Sequence, residues 1–343
     1  MRNLKKVIAL VAVFAMLIST VSIAAFADTF TDVATTDNYA EAIETLSAIG
    51  ILTGDDENND GQMEFRPEDT ITRAEVTAII SRIQGMNSAA QTNTVFNDVP
   101  SDHWASGYIA QASGQGIVNG YGDGNFGPDD SVKYEEMIKM LMETLGYNPY
   151  ATDNGGYPTG YITAAQRYGV LENVVGGGVG TEAPRGMVAQ MVYNAIDTPL
   201  MDKYTYGKDA SYVIYDNLDT YGYQTLLTRD LKMIKVTGKV VANSYTDLTT
   251  NTTSVDTSMD KTIAVRVDNT TNNYNYGLED YLPVRMSDGT ESYRSLSIYQ
   301  GDVDADGYLG YAVSLYASES STNDEYTLVA ITQNSSRNTS VSF

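Results

Sequence analysis

The sequence predicts a multidomain chain: an all-α unit of three helical repeats closing into a pseudo-trimer, then an all-β C-terminal region. Three observations predict it. One series of motifs recurs along residues 28–200. Within each recurrence, apolar residues fall at helical spacing. Beyond Pro199 that spacing stops, and short runs rich in Tyr, Thr and Val replace it.

Residues 1–27 read as a signal peptide. Arg2, Lys5 and Lys6 precede an apolar core at residues 7–17, and Ala25-Phe26-Ala27 is a small-x-small cleavage site. The mature chain is expected to start at Asp28, outside the cell. No later stretch is apolar enough to span a bilayer, so no membrane contact is expected after cleavage.

The first repeat, residues 28–90, opens with Phe30-Thr31-Asp32-Val33. Asp37 is placed to cap a helix carrying Ala40, Ile43, Leu46 and Ile49, which Gly50 ends. A polar loop leads to Phe65-Arg66-Pro67 and Ile71-Thr72-Arg73-Ala74-Glu75. Thr70 or Thr72 caps a second helix, and Glu75 stands at capping-box distance from Thr72. The second repeat, residues 91–150, repeats the series: Phe96-Asn97-Asp98-Val99, His103-Trp104-Ala105, Gly116-Ile117-Val118-Asn119-Gly120-Tyr121, Phe126-Gly127-Pro128 and Val132-Lys133-Tyr134-Glu135-Glu136. The third, residues 151–200, is divergent. It keeps Gly160-Tyr161-Ile162, Gly169-Val170-Leu171 and Ala183-Pro184-Arg185-Gly186-Met187 but lacks the opening motif. Glycines 50, 54, 116, 120, 122 and 124 read as turn residues needing positive φ. One helix pair cannot hide its apolar stripe, whereas three can by closing around an axis.

Residues 201–343 read as β-rich. Strands are expected at 211–215, 231–242, 262–267, 308–316 and 326–332, in a sandwich or an incomplete barrel. Residues 340–343 alternate like a strand. They either close a sheet or mark a piece of a longer protein.

The chain has 44 acidic and 21 basic residues, a formal net charge of −23, and no cysteine. So acidic a chain argues against nucleic acid, since little would neutralise phosphates. Exported and cysteine-free, it has no disulfide framework.

The motif series resembles the S-layer homology (SLH) module of Gram-positive, clostridial-type surface proteins. The resemblance covers residues 28–200. It implies a pseudo-threefold spindle with grooves between modules, and non-covalent anchoring to a secondary cell-wall polysaccharide, often ending in a pyruvylated sugar. It also allows self-association in a surface layer. Carried over position by position, it assigns Arg73 and Arg185 to the acidic sugar, with Trp104, Tyr39, Asp32 and Asp98 shaping the grooves. Tyr134 stands where the second repeat should have arginine, with Lys133 beside it. Arginine suits a ketal carboxylate because its donors are planar and charged. Simpler roles compete. Asp32 and Asp98 are equally apt turn caps, Trp104 could pack in a core, and Arg73 could pair with Glu75.

Two acidic loops resemble the start of a calcium loop: Asp302, Asp304 and Asp306 before Gly307, and Asp56, Asn58 and Asp60 before Gly61. Neither has glutamate at the twelfth position, and a solvated acidic loop is the simpler reading. No other cofactor is expected. Catalysis finds little support: there is no cysteine nucleophile, and His103 is the single histidine. Two alternatives stand beside anchoring. One is an anchored glycan hydrolase using carboxylates in residues 201–343. The other is an SLH fold serving assembly without binding sugar.

Overall fold

A computed structural model describes residues 30–55, 61–86, 89–203, 211–248, 261–287, 289–319, 326–334 and 337–338. The expected signal peptide, the loop residues Asp56, Asn58 and Asp60, and residues 340–343 lie outside the described residues.

The helical part runs α1 (Ala40–Ala48), α2 (Arg73–Ile83), α3 (Ser106–Gly114), α4 (Tyr134–Thr144), α5 (Asn148–Asp153), α6 (Thr159–Arg167) and α7 (Arg185–Ile196). Helix α1 starts without a side-chain cap. Asp37 instead takes the Ala34 amide on its carboxylate at 2.9 Å, so it shapes the turn before the helix. Gly50 ends α1 as expected: at φ 78° it lets the Ile51 amide reach back to Leu46 O at 2.8 Å. Helix α2 has its full capping box. Thr72 Oγ1 accepts the Glu75 amide at 3.2 Å, and Glu75 Oε2 accepts the Thr72 amide at 2.8 Å. Helix α4 keeps half of it, the Lys133 amide on Glu136 Oε2. Pro184, before α7, has no amide to give.

The three modules close into a ring because each one's helix start is completed by the next. The first amides of a helix have no partner within it. Here Arg73 and Ala74 donate to Asp130 O and Pro128 O of the second module at 2.9 and 3.0 Å. Tyr134 donates to Thr181 O of the third at 2.9 Å. Arg185 and Gly186 donate to Asp69 O and Pro67 O of the first, both at 2.8 Å. Single β-bridges run the same way round: Thr72 to Ser131, Lys133 to Glu182, and Thr70 to Pro184. The lighter helices follow the ring, with α3 packed on α2, α6 on α4 and α1 on α7. Leu46, Ile80, Ile83, Met137, Leu141, Val188 and Val192 fill the centre, essentially without exposure. Each such side chain contributes about 1.5–3 kcal/mol by leaving water.

Gly54 and Gly120 depart from the expectation of positive φ. A Cβ on Gly120 would sit 2.7 Å from Phe96 Cε1, and one on Gly54 would sit 2.8 Å from Phe30 Cδ1. These glycines exist for close approach: they let the opening phenylalanines of the first two modules lie on the loop.

After the helices come β1 (Met201–Lys203), β2 (Tyr212–Ile214), β3 (Asp216–Asn217), β4 (Gly222–Tyr223), α8 (Leu226–Arg229), β5 (Met233–Ala242), β6 (Thr262–Val267), α9 (Thr271–Asn275), β7 (Val284–Arg285), β8 (Glu291–Ser292), β9 (Leu296–Tyr299), β10 (Ala312–Glu319) and β11 (Tyr326–Gln333). Strands β10, β11, β9, β6 and β5 form a closed five-stranded barrel, with β9 parallel to β11 and the other pairs antiparallel. The region is therefore mixed rather than all-β, and its barrel is closed rather than incomplete. Threonine caps explain the two helices: Thr225 Oγ1 accepts the Thr228 amide, and Thr270 Oγ1 accepts the Asn273 amide, both at 3.2 Å. Closure leaves the barrel no open sheet edge.

The two halves share one apolar core. At their junction Lys235 of β5 lies 3.8 Å from Asp197 at the end of α7, between the rings of Tyr193 and Tyr316. Burial opposes the charge on this lysine. The oxygens of Tyr316, Tyr193 and Asp197 outweigh it and hold its pKa well above the ordinary lysine value. Among the described residues, no helix is long and apolar enough to cross a membrane.

Candidate functional site: two inter-module grooves

Two grooves of nearly equal size, about 310 and 330 Å³, lie where modules meet. Both volumes suit a small ligand or a sugar unit. They are built alike. Each takes a loop and the start of a long helix from one module, an arginine from the preceding module in the ring, and an aromatic rim from the following one.

The first groove is formed by Leu52, Thr53, Gly54 and Asp55, and by Glu75, Ala78, Ile79 and Arg82 of α2. Arg185 enters from the third module. Its Nε donates to Phe65 O at 2.8 Å, its guanidinium stands 4.9 Å over the Phe65 ring, and Nη1 lies 3.4 Å from Glu75 Oε1. Trp104 of the second module forms the rim and is 49% exposed. His103 stacks on it at 5.9 Å and accepts the Ala105 amide on Nδ1, a turn role.

The second groove is formed by residues 117–121 and by Glu136, Lys139 and Met140 of α4. Arg73 enters from the first module. Its Nε donates to Phe126 O at 3.0 Å, Nη2 donates to Asn119 O at 2.9 Å, and Nη1 lies 3.6 Å from Glu136. The guanidinium rests over the rings of Phe126 and Tyr121 at 4.7 and 4.8 Å. Tyr157 of the third module takes the place of Trp104 and is 50% exposed. Burial, with the hydrogen bond to Asp130, pushes the Tyr121 phenol up to about 12 against the Arg73 charge. It remains a neutral donor at every physiological pH.

The third junction is built differently. Tyr134 occupies the arginine place, where its ring packs against Met187 and Gly177. Met187 stands where the other helices carry Glu75 and Glu136. Tyr39 of the first module turns its hydroxyl to the Val175 backbone, accepting its amide and donating to its carbonyl at 3.1 and 2.9 Å. It packs on Gly186, where a Cβ would come within 2.8 Å of the Tyr39 ring.

Of the residues singled out from sequence, Arg73, Arg185 and Trp104 line the two grooves. Asp32 and Asp98 stand behind them. Asp32 accepts the amides of Phe65 and Arg66 at 2.8 and 2.6 Å, and Asp98 those of Phe126 and Gly127 at 2.8 and 2.7 Å. Burial opposes the charged form of Asp98. The amides of Phe126, Gly127 and Asp98 itself, with the Arg73 charge, outweigh it and hold its carboxyl below the usual range. Lys133 sits at the start of α4 and lines neither groove. Sequence reading missed Tyr157, Lys139 and Arg82, and offered Glu75 as a cap and a partner for Arg73, whereas Glu75 lies against Arg185 and Arg73 against Glu136. The available signal for Tyr157 was the match of Tyr157-x-x-Gly160-Tyr161-Ile162 to Trp104-x-x-Gly107-Tyr108-Ile109.

The Asp302 loop satisfies itself. Asp304 Oδ1 accepts the Asp306 amide at 3.1 Å, and Asp306 Oδ1 accepts Gln300 Nε2 at 3.0 Å. Among the described residues, no group of three or more His, Cys, Asp or Glu side chains is arranged to hold a metal ion.

The model of the S-layer homology domain matches residues 29–77 and 95–138, the first two modules. Over 216 residues, 61% of this chain, the sequence is 32% identical to a cell surface protein of Thermoanaerobacter kivui. It is 30% identical to the middle cell wall protein of Brevibacillus brevis over 56% of this chain, and 30% identical to the surface layer protein of Brevibacillus choshinensis over 67%. The aligned segments cover 26%, 17% and 20% of those relatives' own lengths. Motifs, ring closure and similarity thus agree: the chain carries S-layer homology modules, like those of the Gram-positive cell-surface proteins it resembles.

Proposed function

We propose that the helical half anchors the chain to the cell wall by gripping an anionic secondary polysaccharide, pyruvylated at its end, in the two arginine grooves. The observation that carries this reading is the repeated construction. In each groove two or more protein oxygens orient a guanidinium, a second cation (Arg82 or Lys139) stands on the neighbouring helix, and an exposed aromatic forms the rim. A ketal carboxylate would take the remaining guanidinium edge by charge-assisted hydrogen bonds. The aromatic face would cover the apolar side of a sugar ring. Glu75 and Glu136, with the loop carbonyls of Thr53 and Asn119, would accept its hydroxyls.

The third junction has Tyr134 in the arginine place and Met187 in the glutamate place, and its Glu135 carboxylate is taken by the Gly180 amide. Two binding grooves are therefore proposed rather than three. The relatives' names, cell surface, cell wall and surface layer proteins, support a non-enzymatic anchoring role. The barrel half would be carried outward, available for assembly with other surface components. The experiment is a pelleting assay of the chain lacking residues 1–27 with purified wall sacculi, before and after mild acid removal of ketal-linked pyruvate. Binding should fall with the pyruvate; equal pelleting on both preparations would refute the acidic-sugar assignment.

A further inference from the structure

Four of the chain's 21 cations gather on one face of the barrel. Lys239, Arg266, Arg285 and Arg337 line a cavity of about 510 Å³ with only two acids, Asp268 and Glu291. Elsewhere acidic residues outnumber basic ones by more than two to one. Such a concentration of positive charge makes a local field opposite in sign to the rest of the molecule.

The arrangement works against the fold. Lys239 of β5 and Arg266 of β6 are direct cross-strand partners, so two like charges face each other. Such pairs destabilise a sheet. Two of the four cations are neutralised: Arg266 by Glu291, and Arg337 by Asp268, with the second Arg337 nitrogen 3.0 Å away. Arg266 also lies 4.5 Å over the Tyr293 ring, which fixes its plane. Lys239 and Arg285 are exposed and form no ion pair with the described carboxylates. Arg285 stands opposite Glu291 in the β7–β8 pair, but that carboxylate closes on Arg266, so the cavity holds two fixed arginines and two cations outside any ion pair among the described residues.

We propose that this cavity is an oxyanion-binding site for a multivalent anion carrying clustered phosphates or carboxylates. The ligand bridges Lys239 and Arg285, relieves the Lys239–Arg266 repulsion, and leaves the two ion-paired arginines as its walls. The site lies on the barrel and does not depend on the grooves of the helical half.

The test is calorimetric titration of the native chain at low ionic strength with tripolyphosphate and, separately, tricarballylate. The tighter of the two distinguishes a phosphate-bearing from a carboxylate-bearing ligand. The variant Lys239→Gln/Arg285→Gln should weaken that binding about tenfold or more, since two charge-assisted contacts are lost. Both side chains are exposed, and Lys239→Gln removes the like-charge pair, so its melting temperature should equal or exceed the native one. The variant Arg73→Ala/Arg185→Ala should keep the barrel's share of the heat. Absence of binding by both anions, or an unchanged titration in Lys239→Gln/Arg285→Gln, overturns the proposal.

Discussion

Asp98 and Arg73 are joined through a single residue. The Phe126 amide donates to Asp98 Oδ1 at 2.8 Å, and the carbonyl of the same Phe126 accepts Arg73 Nε at 3.0 Å. Asp32 and Arg185 are joined in the same way through Phe65, at 2.8 and 2.8 Å. The aspartate of one module thus sets the loop that aims the arginine of its neighbour. These aspartates are positioning residues, and their effect on a ligand passes through the backbone.

The Asp98 link should be sensitive to acid. Its folded pKa lies below the ordinary aspartate value of 3.8, so the charged form is favoured in the folded state. That stability is fully present above the unfolded value and is lost as pH falls through the folded one. Thermal unfolding between pH 6 and pH 2 should show the native chain losing this increment, while Asp98→Asn starts lower and loses less. Parallel curves would mean that the carboxylate charge does not hold the loop.

Gly120→Ala should destabilise the helical half by about 1–3 kcal/mol, since the added methyl meets the Asn125 carbonyl and the Phe96 ring, and the loop must shift. Gly54→Ala should behave likewise against Phe30. Urea unfolding followed by circular dichroism measures both. Gly50→Ala is the contrast: it meets no neighbouring atom, and its cost is only that of a left-handed residue, about 1 kcal/mol.

Tyr134 separates packing from binding. Its ring fills the third junction beside Gly177 and Met187. Tyr134→Ala should therefore lower stability by about 2 kcal/mol through the cavity it leaves. Pelleting with wall sacculi, at a temperature where the variant stays folded, should match the native chain. A large loss of pelleting would show that the third junction binds after all.

The helical half was legible because its signals are local and repeated. Gly50 ends a helix, Thr72 and Glu75 cap one, and the apolar spacing around Ile80 and Leu141 places the core. Ring closure was legible from the three repeats, but its joints were not, since bonds such as the Arg185 amide to Asp69 join distant segments. Within the site, the arginines and Trp104 were found by motif, whereas Tyr157 sits in the divergent module whose opening motif is gone. Glu75 was read as a cap because it is one; its second oxygen faces Arg185 of another module rather than the nearby Arg73, and spacing does not show that. In the barrel, the long strands follow β-branched runs. Strand β9 is four residues of which only Leu296 and Ile298 are buried, too weak a pattern to read. Asp37 misled because its carboxylate closes the turn ahead of the helix instead of capping it.

The most direct measurement is pelleting of the chain lacking residues 1–27 with purified wall sacculi, comparing native protein with Arg73→Ala, Arg185→Ala and the double variant, each shown to be folded. Each single change should weaken binding about tenfold or more, as expected for losing charge-assisted hydrogen bonds, and the double variant should stay in the supernatant. Native-level pelleting of a folded double variant would contradict the account.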